Sequence, residues 1–563
     1  MFVCSLLSSF LLVVSVLAAP ATVTNPNKSE SPATSVAFKG FDWGDLRNIL
    51  CELAIAKNFC PRAPADGLNI LTPIGTARGT FASGANRFAV RYASANRWAP
   101  STVATTWQFP NGASDPSTMP LACPQPQMDS SSYSEDCLSM VLYVPTFLHK
   151  DSKAPVMVWI HGGSFVTGSV LNAGLDGSKL AMATGSIVVV IQYRLGALGF
   201  LGPESNLGAK DVVNALHFLK DNIGPFGGDG SKITLAGQSS GANMIRALLA
   251  APSAQPLFRS ASLHSDPMGY GFLTPSVRQD LVNSFLEKIQ CSASDTSCLN
   301  SASLNSIVDA TSSVNDNGQS INAAAGIGEP IRVVRDGSFI TSPLDSTAPF
   351  PHVNKPLLIS TVKNEATVTV YSMFGSPTPN SAFLPVCDAI LGPNRTDTII
   401  SSDVYPQNKL SDGSEDSRIV LEDVGTDQMW RCPSWTFARN WVQNGGRAFV
   451  GVYTLGATYP SNEGFSICSQ DGQVCHEDDI EIVFGTVSNP TSSQTALINE
   501  VQARYRAFLN SGDPNAPGLS PWQASTSTIT PLNLGGVGII STEACDPSFW
   551  GAAVPFDYQI FGL

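Results

Sequence analysis

The sequence predicts an α/β fold, a large and mostly parallel central sheet flanked by helices with helical and loop insertions. Three observations carry that expectation. Between residues 139 and 250 short β-branched runs alternate with helical patterns, the arrangement that places helices against a parallel sheet. The runs MVLYV, VMVWI, IVVVIQY and ITLA are apolar enough to be strands buried within a sheet. A Gly-x-Ser-x-Gly segment then stands between the last of these strands and a helix, as a tight strand-to-helix turn requires.

Along the chain, residues 5–17, SLLSSFLLVVSVL, followed by Ala18 and Ala19, have the form of a secretory signal, although the preceding MFVC lacks Lys and Arg. A mature chain would begin near Ala19 or Pro20 and be secreted. Residues 20–40 form a loose Pro/Ser/Thr leader, and DLRNILCELAIAKNF has helical spacing, so residues 20–65 read as a leader with a helical segment. From 66 to 563 one large domain is expected, with KDVVNALHFLKDNI and SGANMIRALLAA as helices, PLLIST and AFVGVYTL as further strands, and residues 270–350 as insertions.

With 43% apolar and only 14% charged residues the chain is too apolar for disorder. Its net charge of -13, without any Lys/Arg run, makes nucleic acid and anionic membranes poor partner candidates. Beyond the leader no segment reaches the ~18 apolar residues of a bilayer span. Asn27 and Asn394 head sequons open to glycosylation on the secretory route.

Of 12 cysteines, Cys4 lies in the leader, and no CxxC pair suggests zinc or thioredoxin-like chemistry. Neighbours in sequence suggest local disulfides: Cys51 with Cys60, Cys123 with Cys137, Cys291 with Cys298, and Cys468 with Cys475. Cys387, Cys432 and Cys545 remain, so one of them should be a free, buried and unreactive thiol.

The candidate nucleophile is Ser239, in ITLA-Gly237-Gln238-Ser239-Ser240-Gly241. A serine hydroxyl becomes reactive when a tight turn presents it beside a base and at a helix N-terminus. Upstream, VMVWI ends in His161-Gly162-Gly163-Ser164-Phe165. Two glycines leave backbone N–H groups accessible to a substrate oxygen, so Gly162 and Gly163, with the amide of Ser240, form a candidate oxyanion hole. Three histidines follow Ser239. His264 comes too soon for an acid to intervene and His352 sits before a strand, leaving His476 in VCHEDDIEIVFG as the best base. A metal site at Cys468, Cys475 and His476 lacks a fourth ligand. For the acid, Glu365 after PLLISTV competes with Glu422 and Asp427.

Taken together, SEDCL (134–138), WIHGGSF (159–165), QYRLGALGFLG (192–202), NIGPFGGDGSKITLAGQSSGA (222–242), VKNEA (362–366) and CHEDDIEIVFG (475–485) resemble the type-B carboxylesterase/lipase family of α/β-hydrolases, which includes the cholinesterases. The resemblance is to secreted, fungal-type carboxylesterases. It implies an α/β-hydrolase catalytic domain without cofactor or metal, Ser239, Glu365 and His476 as triad, and Gly162, Gly163 and Ser240 as oxyanion donors. It also implies that Ser265, in LHSDP, supports the triad histidine. Gln238 departs from the usual Glu before the nucleophile, Ser240 from Ala and Ala366 from Gly. The Cys123–Cys137 loop carries no Trp, which argues against a choline site and a large lid. The implied activity is ester hydrolysis of small-molecule or lipid substrates. A lipase or sterol esterase, or a catalytically dead binding protein of the same fold, are the alternatives, and oligomeric state is open.

Overall fold

The apolar runs assemble into one ten-stranded sheet. Its strands are β1 (Thr80–Ala82), β2 (Ala85–Arg91), β3 (Ser139–Pro145), β4 (Ala154–Ile160), β5 (Ile187–Ile191), β6 (Gly228–Gln238), β7 (Ser260–His264), β8 (Pro356–Val362), β9 (Arg447–Tyr453) and β10 (Leu532–Leu534). Across the sheet the order is β10-β9-β8-β7-β6-β4-β5-β3-β2-β1. The strands from β10 through β5 are mutually parallel, and β3, β2 and β1 form an antiparallel edge. The computed structural model describes residues 67–344, 350, 355–406 and 413–551. The signal-like segment, Asn27, the DLRNILCELAIAKNF helix, the Cys51/Cys60 pair and His352 lie outside the described residues.

Strand β4 shows why these runs are apolar at every position. Val156, Val158 and Ile160 pack into the core on one face, while Met157 and Trp159 pack into the core on the other. Both faces are dry because helices cover both, so neither can carry polar side chains. Helix α1 (Leu207–Asn222) and helix α2 (Ser240–Leu249) follow β5 and β6 and fall where the sequence places them.

Strand β7 was not anticipated. Its sequence, SASLH, is too polar to read as a central strand, yet all five residues are buried between β6 and β8. The serines are tolerated because they are paired: Ser260 shares a 2.8 Å hydrogen bond with Thr234, and Ser262 a 2.7 Å bond with Tyr505. The edge strands β1, β2 and β10 also escaped the sequence reading, being short or interrupted by charge.

The insertion after β7 is helical as expected. Helix α3 (Pro275–Lys288) is capped by Thr274 and α4 (Leu304–Asp316) by Ser303, each side-chain oxygen accepting an otherwise orphaned N–H. After β8 come α5 (Thr367–Met373), α6 (Phe383–Leu391), α7 (Arg418–Thr426) and α8 (Cys432–Gln443), and the long α9 (Ser492–Ser511) opens with a capping box at Thr491. Among the described residues no helix is long and apolar enough to cross a membrane.

Disulfides join Cys123 to Cys137, Cys291 to Cys298 and Cys468 to Cys475, and Cys432 to Cys545 over a separation of 113 residues. Among the described residues Cys387 is the free cysteine; it is buried, and burial pushes its thiol up to about 12. Asn394 is exposed in the first turn of the short helix Pro393–Ile400. Because the Cys432–Cys545 bond closes the longest loop, replacing both cysteines by Ala should lower stability by about 2–5 kcal/mol. Urea unfolding followed by Trp fluorescence measures this, and an unchanged midpoint would show that residues around Cys545 lie outside the cooperative unit.

Candidate active site

Ser239 sits between the last residue of β6 and the first of α2 with φ 57° and ψ -128°, a backbone conformation that non-glycine residues avoid at a cost of about 1–3 kcal/mol. The surroundings impose it. The Ser239 N–H donates to the His264 carbonyl at 2.9 Å, while its own carbonyl accepts from Ala242 and Asn243 at 2.8 and 3.0 Å. Gly241 is indispensable to this packing, since a Cβ there would lie 2.1 Å from the Ile160 carbonyl oxygen. The α2 N-terminus thereby presses against β4, and the Ser239 side chain is aimed into a cavity of about 690 Å³.

The loop after β4 borders the same cavity. A Cβ on Gly162 would meet the Gln238 carbonyl at 2.8 Å and the Ser239 Cβ at 3.0 Å, so only glycine lets this loop approach the serine. Among the described residues the N–H groups of Gly162, Gly163 and Ser240 have no protein acceptor. Three unspent donors beside one serine are the arrangement an oxyanion requires. His161 stiffens the loop from beneath: burial lowers its pKa to about 4, and the neutral ring's Nδ1 lies 2.9 Å from the Gly162 carbonyl and stacks on Tyr193. Across the cavity mouth, Gln125 of the Cys123–Cys137 loop both accepts from the Gly168 N–H at 2.9 Å and donates to its carbonyl at 3.0 Å.

His476 reaches the cavity from a loop anchored by the Cys468–Cys475 disulfide. Asp478 accepts from the N–H groups of Cys475 and Tyr459 at 2.7 and 2.8 Å, and Asn462 donates to the His476 carbonyl at 2.7 Å. The His476 Nδ1 donates to Glu365 Oε2 at 2.6 Å. Glu365 is itself oriented, its Oε1 accepting the Val362 N–H at 2.8 Å. The rival acids are engaged elsewhere. Glu422 accepts from Asn364 at 2.5 Å, and Asp427 holds Arg431 at 2.6 Å and the Tyr405 hydroxyl at 2.9 Å.

On the other ring nitrogen, the side-chain amide of Gln238 stands 3.0 Å from His476 Nε2. Trp430 packs at 5.6 Å from the imidazole. Burial disfavours the imidazolium, but the hydrogen bond and charge of Glu365, with Glu477 and Asp479 behind, outweigh it and raise His476 to about 9.

Two expectations need comment. Ser265 does not hydrogen-bond His476: its hydroxyl is buried without a partner among the described residues, and its N–H donates to the Ser360 carbonyl at 2.7 Å. Glu365 and Gln238 are the side chains within hydrogen-bond distance of the two ring nitrogens. His264, set aside as a base, is buried beneath the site, where its Nδ1 contacts Asp479 at 2.7 Å and its Nε2 the Tyr505 hydroxyl. Among the described residues the one cluster with metal-ligating atoms, Asp427, Cys432 and Cys545, has both sulfurs in a disulfide and no thiolate to offer. Trp430 and the buried carboxyl of Glu329 also line the cavity. Neither belongs to a motif that could have pointed to it.

Compared with known proteins, residues 68–534 match the model of the carboxylesterase family. The cAMP-regulated D2 protein of Dictyostelium discoideum is 32% identical over 407 residues, 70% of this chain and 74% of that one. The liver carboxylesterase of Sus scrofa is 28% identical over 463 residues, 76% of this chain and 80% of that one. A solved PNB esterase structure superposes with a TM-score of 0.68 at 24% identity, covering 83% of this chain and 96% of that chain, and shares the fold.

An NMR titration of His476 should give a midpoint near 9. In Glu365→Gln the charge that favours the imidazolium is gone and burial dominates, so the midpoint should fall to or below the ordinary value of about 6.5. A midpoint that does not move would remove Glu365 from the account of His476.

Proposed function

The chain belongs to the carboxylesterase family and is a carboxylic ester hydrolase, and from that premise we propose that it works through an acyl-enzyme on Ser239, with His476 as base and Glu365 as the acid that orients it. The observation that carries this reading is the 2.6 Å Glu365–His476 pair opening onto the cavity that also receives the strained Ser239. As Ser239 Oγ bonds to the ester carbonyl carbon, its proton passes to His476 Nε2. The carbonyl oxygen, now negative, rests against the N–H groups of Gly162, Gly163 and Ser240, each such donor being worth about 2.7–4 kcal/mol in the transition state. The imidazolium returns its proton to the departing alkoxide. Water then attacks the acyl carbon with His476 again taking a proton, and the carboxylic acid and free serine are released.

Gln238 fits both protonation states of the base. Its NH2 can donate to neutral Nε2, and after rotation of the amide its oxygen can accept from Nε2–H. A carboxylate in its place would favour only the charged ring. The neutral amide is consistent with the absence of a choline-type site in the Cys123–Cys137 loop.

Met373, Phe374, Val386, Ile390, Leu421 and Val424 line the cavity, and this apolar lining favours esters with extended apolar acyl groups. The same lining keeps a lipase or sterol esterase as the second reading. The disulfides that fasten both loops beside the site support folding in an oxidising compartment and hence a secreted enzyme, with glycan at the exposed Asn394.

Initial rates on p-nitrophenyl esters from acetate to palmitate test the reading. Wild type should turn them over with an optimum beyond acetate, and Ser239→Ala should lose about 10⁴-fold or more in kcat. Equal rates for the two proteins would sink the serine mechanism, and a jump in rate as substrate aggregates would favour the lipase. Since the base must be neutral to act, kcat/KM should rise with pH through the raised pKa of His476, a limb lying well alkaline of 6.5. Gln238→Glu, placing an anion against the imidazolium, should move that limb further up; a limb that stays put would separate Gln238 from the base.

A further inference from the structure

Glu329 is the buried acid in this cavity that the hydrolytic mechanism leaves unused. It is 4% exposed, lies in the loop before Pro330 and lines the same cavity as Ser239 and His476. Its Oε2 has no hydrogen-bond partner among the described residues. An unmet buried carboxyl oxygen costs about 1–3 kcal/mol or more, and a donor that enters the cavity relieves that cost. Around it the polypeptide is spoken for. Arg332 reaches back to the Glu329 main-chain carbonyl at 2.8 Å and to those of Gly271 and Ala325, and Arg246 holds Asp266 in a fully buried ion pair at 2.9 Å. Burial and then the charge of Asp266 push the Glu329 carboxyl up to about 7, against Arg332, His476 and Arg246.

We propose that Glu329 is a substrate anchor: its carboxyl, turning toward the cavity that the residue lines, accepts a hydrogen bond from a hydroxyl on the ester, and the enzyme prefers hydroxylated esters over their plain counterparts. This rests on the ester-hydrolase reading above. A neutral donor suits the site better than a cation. Arg332 and Arg246 already offset the negative charges of Glu329 and Asp266, so an ammonium would enter a region whose charge is balanced. The rest of the chamber, walled by α5, α6 and α7, takes the apolar part of the same substrate. A polar group held this way discriminates sharply, because the analogue without the hydroxyl leaves the buried oxygen unpaired.

Two matched substrate pairs locate the hydroxyl. The acyl-side pair is p-nitrophenyl 6-hydroxyhexanoate and p-nitrophenyl hexanoate, and the alcohol-side pair is 2-hydroxyethyl hexanoate and propyl hexanoate. The readout is the ratio of kcat/KM within a pair, which is independent of how much of a variant is folded. Wild type should favour the hydroxylated member of one pair by about tenfold or more. Glu329→Leu should bring that ratio to about one, and Glu329→Gln, which keeps an acceptor oxygen, should retain most of it. Ratios near one in both pairs for wild type, or a preference that survives in Glu329→Leu, would overturn the anchor while leaving the hydrolase reading intact. A folded wild type that cleaves none of the four esters would overturn both.

Discussion

The backbone of Ser239 is the constraint on which the rest of the site depends. A residue held at φ 57° needs neighbours that over-determine it, and here they come from three directions. The β4 carbonyl at Ile160 seats against Gly241, the Gly162 loop closes over the turn, and the end of β7 accepts the Ser239 N–H. The last of these reaches furthest. The His264 carbonyl takes the Ser239 N–H, while the His264 ring binds Asp479, which closely follows His476 in sequence. One buried imidazole therefore ties the turn carrying Ser239 to the loop carrying His476. The central position of the otherwise polar β7 follows from that duty, and its serines are paired with Thr234 and Tyr505 so that it can lie in the middle of the sheet.

The electrostatics converge on the same loop. His476 is flanked in sequence by Glu477, Asp478 and Asp479 and in space by Glu365. Asp478 is consumed in fixing the backbone and Asp479 in binding His264, so the acids around the base are structural members as well as charges. Their field favours a positive charge on the ring, and the carboxamide of Gln238 adds no charge beside the other ring nitrogen.

How much of this could be read from the residues depends on whether local pattern or long-range packing decides. The turn at Ser239, the strands before it and the glycines at 162 and 163 announce themselves locally, because periodicity and glycine placement are properties of a few consecutive residues. The acid does not. Glu365, Glu422 and Asp427 are equivalent as carboxylates after Ser239, and only packing distinguishes them: Glu365 meets His476, Asn364 occupies Glu422, and Arg431 with Tyr405 occupies Asp427. Family resemblance pointed to Glu365, and it also pointed to Ser265, whose hydroxyl makes no hydrogen bond to His476 here. Glu329 and Trp430 come from segments with no motif at all, brought to the cavity by the insertions after β7 and β8. The strand β7 was missed for the opposite reason, since its polar residues imitate a loop until their partners are known.

None of the described disulfides joins two strands of the sheet. Two of them instead fasten the loops that carry Gln125 and His476 to the mouth of the cavity, and the others secure an insertion and the C-terminal segment. Sheet and cavity rim are thus held by different chemistry: water expulsion builds the first, and disulfides add covalent ties to the second. A polypeptide whose sulfur is kept reduced would lose the covalent ties on the loops of Gln125 and His476, while none of its strand pairings rests on a sulfur.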